Sequence, residues 1–191
     1  MPSPKTALAD EFRRAMRVFA ATASVISCSG PDGSYHGLAV TAVASVSLEP
    51  PSLLASVNRA ASAFPALCAH GAFCVNVLRS DQERLCRRFS DPRRRGDRFR
   101  FGTWQIGHAG LPYVEEAVAN LFCETAAWLD FASHRIFVGE VRAVRLSAGR
   151  APLLYVDGGF ADVRARAADE EIGLADPPPG AGRADRETDR R

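Results

Sequence analysis

The residues able to do chemistry are scattered along this chain. Four histidines, His36, His70, His108 and His134, fall on different predicted elements, whereas a zinc site gathers three or four ligands at short spacing. The five cysteines, Cys28, Cys68, Cys74, Cys86 and Cys123, include no C-x-x-C pair and read as buried free thiols rather than as ligands or a disulfide framework. No metal site is expected. The sequence contains no G-x-G-x-x-G, Walker A, H-E-x-x-H or G-x-S-x-G motif. Any nucleotide must therefore be held by something other than a Rossmann half or a P-loop, and the usual hydrolase machineries lack their residues. What remains is positive charge. Arg88, Arg93, Arg94, Arg95 and Arg98 crowd one short stretch; such a run is usually a solvated face, and its other use is to meet a phosphate with forked guanidinium donors. Arg98, inside the phrase GDRF, is the best candidate of the five.

The elements that must position these groups follow from periodicity. Phe12, Ala15, Met16, Phe19 and Ala20 repeat at i, i+3, i+4, i+7 and i+8, which predicts an amphipathic N-terminal helix that packs on the core. ASVISC, the turn Gly30-Pro31-Asp32-Gly33 and the run SYHGLAVTAVASVSL, closing on Pro50-Pro51, predict a hairpin entering a further strand. SLLASVN and AFCVNVL bracket a short helix with Pro65 in its first turn and Gly71 at its exit. Ser80 and Glu83 have capping-box spacing for the helix DQERLCRRF. Further strands are expected in FGTWQIG, ANLFCETAAWLDF, HRIFVGEVRAVRL and PLLYVDGGF. Many short strands, few helices and no βαβ alternation argue for a closed or partly closed antiparallel barrel.

The chain has 191 residues and 47% hydrophobic composition, enough for one domain with a full core. The expected organisation is a flexible N-terminus over 1–10, one domain over 11–163 and a charged, Pro/Gly-rich, disordered tail over 164–191. No apolar run approaches the ~20 residues that span a bilayer, and no secretory leader is visible. A cytoplasmic protein with no membrane partner is the expectation. A net charge of +2 gives no reason to expect nucleic acid.

Six phrases in order carry a resemblance: HGLAVTAVASVSLEPP (36–51), SVNRAASAFPAL (56–67), FCVNVLRSDQERLCRRFS (73–90), GDRF (96–99), SHRIFVGEV (133–141) and PLLYVDGGF (152–160). Over roughly residues 11–160 they resemble the short-chain flavin reductase family, the reductase components of two-component flavin-dependent monooxygenases. The resemblance implies a mainly β fold with flanking helices, an FMN-binding split β-barrel of antiparallel Greek-key type, that forms a homodimer. It implies NADH or NADPH as hydride donor, FMN or FAD as acceptor, and a partner monooxygenase that takes the reduced flavin. Two alternatives on the same fold stay open, an FMN-dependent oxidase and a non-enzymatic flavin-binding module.

Residue by residue, the resemblance places Val40, Thr41, Ala42 and Ser45 along the isoalloxazine. Small residues there suit close backbone approach to a flat ring. Ser56, Val57, Asn58, Ser62 and Phe64 match the segment that reaches the ribityl chain and phosphate, with Ser62 as the chosen hydroxyl and an N-terminal cap as its ordinary alternative role. Phe89 and Ser90 border the flavin, and Arg98 supplies charge. His134 matches a histidine near the nicotinamide site, where an imidazole could contact the carboxamide or buffer a proton. The sequence departs from the pattern at Ala39, Ala42, Ala44 and Ala60, where relatives often carry Thr, Ser or Cys, and Ala132-Ser133 replaces the usual Gly-Asp. Fewer side-chain donors are then available to the flavin, while backbone contacts survive.

Overall fold

A computed structural model describes residues 4–163; residues 1–3 and the tail expected over 164–191 lie outside the described residues. Helix α1, Pro4–Arg17, begins within the segment expected to be flexible. Its apolar side chains Leu8, Phe12 and Met16 are exposed, so the predicted helix forms but its stripe is not packed on the core. The helix is tied at its end instead: Arg17 donates to the Asp157 carbonyl at 2.7 Å and carboxylate at 3.1 Å, and the Asp157 N–H donates back to the Arg17 carbonyl at 2.6 Å.

Short strand β1, Ala21–Thr22, precedes the hairpin of β2, Ser24–Ser29, and β3, Tyr35–Val40. β4, Val43–Leu48, and β5, Pro51–Asn58, form a second hairpin, followed by helix α2, Phe64–His70, and β6, Ala72–Val77. Pro65 sits in the first turn of α2 and Gly71 closes it at φ 70°, as the punctuation predicted. Helix α3, Glu83–Ser90, is entered through a 3₁₀ turn at Ser80–Gln82. The cap lies one residue earlier than the Ser80/Glu83 spacing suggested, because Gln82 Oε1 accepts the Arg79 N–H at 2.8 Å. Then come β7, Trp104–Ile106, β8, Pro112–Val114, and two strands of 13 residues, β9, Ala119–Phe131, and β10, His134–Leu146. The hairpin of β11, Leu154–Val156, and β12, Gly159–Ala161, pairs through β11 with β1.

The main sheet has seven strands in the order β3-β2-β6-β9-β10-β5-β4, every pair antiparallel. Its two edge strands are consecutive in sequence, and Thr41 and Ala42 alone connect them. Three trans Cα–Cα steps cover at most about 11 Å, while six strand spacings laid flat would separate the edges by roughly 29 Å. The sheet must therefore curl until its edges nearly meet. Register shifts at Val138/Gly139 and Val141/Ala143 in β10 and at Ser45/Ser47 in β4 supply local bends. Gly139 is required for close packing, since a Cβ there would lie 2.7 Å from the Phe73 ring. No ladder joins β3 to β4 among the described residues. The fold is mainly β with flanking helices, and the expected barrel is not closed by hydrogen bonds.

Two cores fill this arrangement. Inside the curl lie Ile26, Ala55, Val57, Phe73, Val75, Phe122 and Phe137, with Leu67 from α2. Outside it, Val25, Leu78, Leu85, Phe89, Val114 and Leu153 pack α3 onto the sheet. Adjacent residues Val25 and Ile26 serve opposite cores, which is why β2 is apolar on both faces. Asn76 on β6 is fully buried between them. Its amide donates to the Val25 carbonyl and Ser27 Oγ, both at 2.9 Å, and its oxygen accepts from the Val114 N–H at 2.8 Å and Asn120 Nδ2 at 2.9 Å.

Asn76→Ala should destabilise the protein by about 3 kcal/mol or more, because it strands several buried partners at roughly 1–3 kcal/mol each; denaturant titration measures the loss. The opposite sign is expected at the β9–β10 turn, whose first residue, Ala132, sits at φ 48°. Left-handed geometry costs a residue with a Cβ roughly 1–2 kcal/mol. Glycine relieves it while adding unfolded-state entropy, so Ala132→Gly should raise the unfolding midpoint by the equivalent of about 0.5–1 kcal/mol. A lowered midpoint would contradict the turn geometry.

Candidate functional site

The crossing at Thr41-Ala42 leaves the end of β3 facing α3, and a groove runs along that junction. One end is a cavity of about 470 Å³ lined by Ala39, Val40, Thr41, Ser90, Tyr155 and Phe160 among others. The other, of about 400 Å³, is lined by Asn58, Ser62, Phe89, Ser90, Arg95 and Arg98 among others. Ala39 and Ser90 border both cavities, which makes them two ends of one site, each of a size that takes a small ligand. Gly37 lets the walls close: a Cβ there would lie 2.8 Å from both the Phe89 ring and the Ile26 carbonyl.

Arg98 dominates the second end electrostatically. It is 6% exposed, lifted out of the loop by the 3₁₀ turn Arg98–Arg100. Its guanidinium donates to the Gly37 carbonyl at 2.8 Å, the Asp91 carbonyl at 3.0 Å and Ser62 Oγ at 3.5 Å. No carboxylate pairs with it among the described residues, and its buried Nε has no partner. Burial, and then the neighbouring charge of Arg95, push its pKa below the ordinary arginine value, with Asp91 opposing them. An unpaired buried cation is costly, several kcal/mol in a folded protein. An anion in this end of the groove would supply the missing counter-charge to a guanidinium that still has an unused donor.

Three of the other four loop arginines are committed elsewhere. Arg93 is paired with Asp91 at 3.0 Å, and Arg88 and Arg94 share Asp97 at 2.7 and 3.4 Å. The hydrogen bond from Arg93 holds the Asp91 carboxyl below the usual carboxylate range. Burial raises the Asp97 carboxyl, but the Arg88 hydrogen bond and the charges of Arg88 and Arg94 outweigh it and leave it low. Cys86, at the wider end of the groove, has its thiol pushed up to about 11 by burial and is uncharged near neutrality. Four of the five cysteines are buried as expected, and Cys68 is exposed.

Of the residues singled out from sequence, Val40 and Thr41 line the wider end, Asn58, Ser62, Phe89 and Arg98 line the cationic end, and Ser90 borders both. Ser62 is not a cap, since Ala63 holds that position in α2. Its hydroxyl is left to Arg98 and the groove. Asn58 folds its Oδ1 back onto the Ala60 N–H at 2.9 Å. The remainder lie apart. The Ala42 carbonyl accepts the Ser56 N–H at 3.0 Å, Ser45 faces a separate apolar pocket, and the Val57 side chain belongs to the inner core. Phe64 packs edge-on against Phe137 at 6.2 Å, beneath the Arg135 guanidinium. His134 does not line either cavity, but in the β10–β5 ladder it is the direct partner of Asn58, and its Nδ1 lies 2.9 Å from Ser133 Oγ. Sequence reasoning missed Tyr155 and Phe160, which reach the groove because β11 pairs with β1. Their alternation around Asp157-Gly158 signalled a hairpin but not its destination.

Among the described residues no three metal-ligating side chains cluster, and no helix is long and apolar enough to cross a membrane. The cationic end fits a phosphate-bearing cofactor on chemical grounds: it offers an unpaired buried guanidinium, a hydroxyl and a second arginine. Comparison with known proteins points the same way. A 40% identical relative, over 78% of this chain and 84% of its own length, is the reductase component of the FADH(2)-dependent resorcinol hydroxylase of Rhizobium sp. (strain MTP-10005). The FMN reductase (NADH) RutF 2 of Rhizobium rhizogenes is 36% identical over 77% of this chain and 84% of its own. The NADH:FAD oxidoreductase SgcE6 of Streptomyces globisporus, solved in complex with NAD and FAD fragments, superposes with a TM-score of 0.76 at 30% identity, over 88% of this chain and 98% of that one. The model of the flavin reductase like domain matches residues 16–164, so the chain belongs to the flavin reductase like domain family.

Proposed function

We propose that this protein is an NAD(P)H:flavin oxidoreductase that supplies reduced flavin to a partner monooxygenase, and that the groove over β3 is its flavin site. The observation that carries the reading is Arg98, a buried guanidinium with no carboxylate partner and an unused Nε. When both cofactors are bound they supply the chemistry, a hydride passing from C4 of the nicotinamide to N5 of the flavin. The protein's own work is to bind, orient and exclude water. Arg98, Ser62 and Arg95 hold the phosphate. Val40 and Thr41, at the crossing between sheet edges, offer main-chain groups to the ring, and Tyr155 and Phe160 wall it. Ala42, Ser45, Ser56, Val57 and Phe64 act as scaffold in this reading. His134, the ladder partner of Asn58, contacts the nicotinamide.

The curled sheet whose edges meet at a two-residue link supports a split β-barrel. A homodimer is supported by the uncovered apolar stripe of α1 and by exposed Val46, Leu48, Val144 and Leu146, since exposed apolar patches and strand edges favour burial against a second copy. The name of the resorcinol hydroxylase relative supports a hydroxylating monooxygenase as partner. Free thiols at all five cysteines support a reducing compartment such as the cytoplasm.

Steady-state oxidation of NADH and NADPH with FMN, FAD and riboflavin tests the function: turnover with at least one pair is expected, and stoichiometric flavin binding without turnover would reject it in favour of a carrier. Arg98→Gln and Ser62→Ala should weaken FMN far more than riboflavin, which lacks the phosphate. The loss for each is about 1.5–3 kcal/mol, the worth of a hydrogen bond to a charged group, read by flavin fluorescence titration. His134→Ala should leave flavin affinity intact and raise the KM for the nicotinamide or slow hydride transfer. Loss of flavin affinity in His134→Ala with unchanged nicotinamide kinetics would reverse the assignment.

A further inference from the structure

Beside the groove lies a second recess of a different character. Its walls are Arg84, Arg87, Arg88 and Arg94, with Asp91 the one acidic residue. It adjoins the wider end of the flavin groove, because Arg87 and Asp91 border both. The segment from Glu83 to Arg100 carries eight arginines against three carboxylates, a net of +5, in a chain whose total is +2.

Those three carboxylates are already used. Glu83 pairs with Arg87 at 2.6 Å, Asp91 chelates Arg93 through both oxygens at 3.0 Å, and Asp97 is shared by Arg88 and Arg94. Arg84 has no carboxylate partner among the described residues. Arg84 and Arg88, one turn apart on α3, lie over the same Phe101 ring with guanidinium carbons 5.7 and 4.9 Å from its centroid. Like charges at this spacing repel, and stacking on an aromatic face holds both guanidiniums in place despite it. A recess with several fixed forks and no spare acid is preorganised for a phosphate ester.

We infer that this recess binds a second phosphate, one carried on the adenosine side of a dinucleotide whose reactive end occupies the groove. Resting on the flavin-site assignment above, the inference names a specificity device: the recess rewards a ligand with a phosphate beyond the one held by Arg98. Two ligands carry such a group, NADPH on its 2′-oxygen and FAD on its adenylate half. NADH lacks the first and FMN the second; the adenylate phosphate of NADH is shared with NADPH and does not distinguish the two.

The test uses the full-length protein and the variant R84Q, whose position lines this recess and neither end of the groove. Equilibrium dissociation constants are measured for FMN and FAD by flavin fluorescence, and for NAD⁺ and NADP⁺ by calorimetry on FMN-loaded protein. Affinity for NADP⁺, for FAD or for both should fall about tenfold, the loss of one charge-assisted hydrogen bond, while FMN and NAD⁺ are unchanged. A selective loss of NADP⁺ assigns the recess to the 2′-phosphate and a selective loss of FAD to the adenylate phosphate. The difference between wild type and variant should shrink as salt approaches ~1 M, where the screening length is about 3 Å. Four unchanged constants, or four equally weakened ones, would overturn the inference. A wild-type protein that binds no flavin at all would instead remove the flavin-site assignment beneath it.

Discussion

Thr41 and Ala42 set the geometry on which the site depends. They carry the chain from one edge of a seven-stranded sheet to the other, and a two-residue link cannot do this unless the sheet bends through nearly a full turn. The bend creates the inner core. It also stops short of hydrogen-bonded closure at one place, where peptide groups at the end of β3 are left beside α3 rather than locked in a ladder. A backbone excused from pairing can bind a ligand, and a curled sheet holds it rigidly. Long β9 and β10, paired along nearly their whole length, bring Asn58 and His134 to the same neighbourhood from the opposite edge.

The second constraint is electrostatic. Arg98 is kept inside the protein against the cost of its desolvation, with two main-chain carbonyls for company and no acid. A sequence selected for stability alone would place a carboxylate there or an apolar residue of the same volume. Keeping the charge uncompensated makes sense if, as proposed, a bound anion completes the pair. The aspartates nearby serve this arrangement. Asp91 and Asp97 are held by Arg93, Arg88 and Arg94, which fixes the loop that presents Arg98 and keeps either carboxylate from neutralising it.

Much of this was legible in the sequence, and the exceptions have physical reasons. The β9–β10 hairpin, α2 with its Pro65 and Gly71, and the Gly30–Gly33 turn announce themselves through periodicity and local stereochemistry. The crossing at Thr41-Ala42 is silent, because the alternation of small and apolar residues runs through it unbroken. Site residues divide along the same line. Ser62 and Arg98 stand out in the sequence and line the groove, but a charge run does not reveal the burial of Arg98, since burial is a property of what packs above the loop. Val57 neighbours the groove residues in sequence, yet side chains alternate along a strand, and its parity turns its side chain into the core beside Phe137. Tyr155 and Phe160 arrive through the long-range pairing of β11 with β1, which no local pattern encodes.

The flavin complex determined by crystallography is the most direct test of the central claim, that the unpaired Arg98 marks the phosphate end of the site. The phosphate is expected within hydrogen-bond reach of Arg98 Nε and Ser62 Oγ, with the ring system against Val40 and Thr41. A phosphate bound elsewhere, with Arg98 Nε still lacking a partner, would contradict the account.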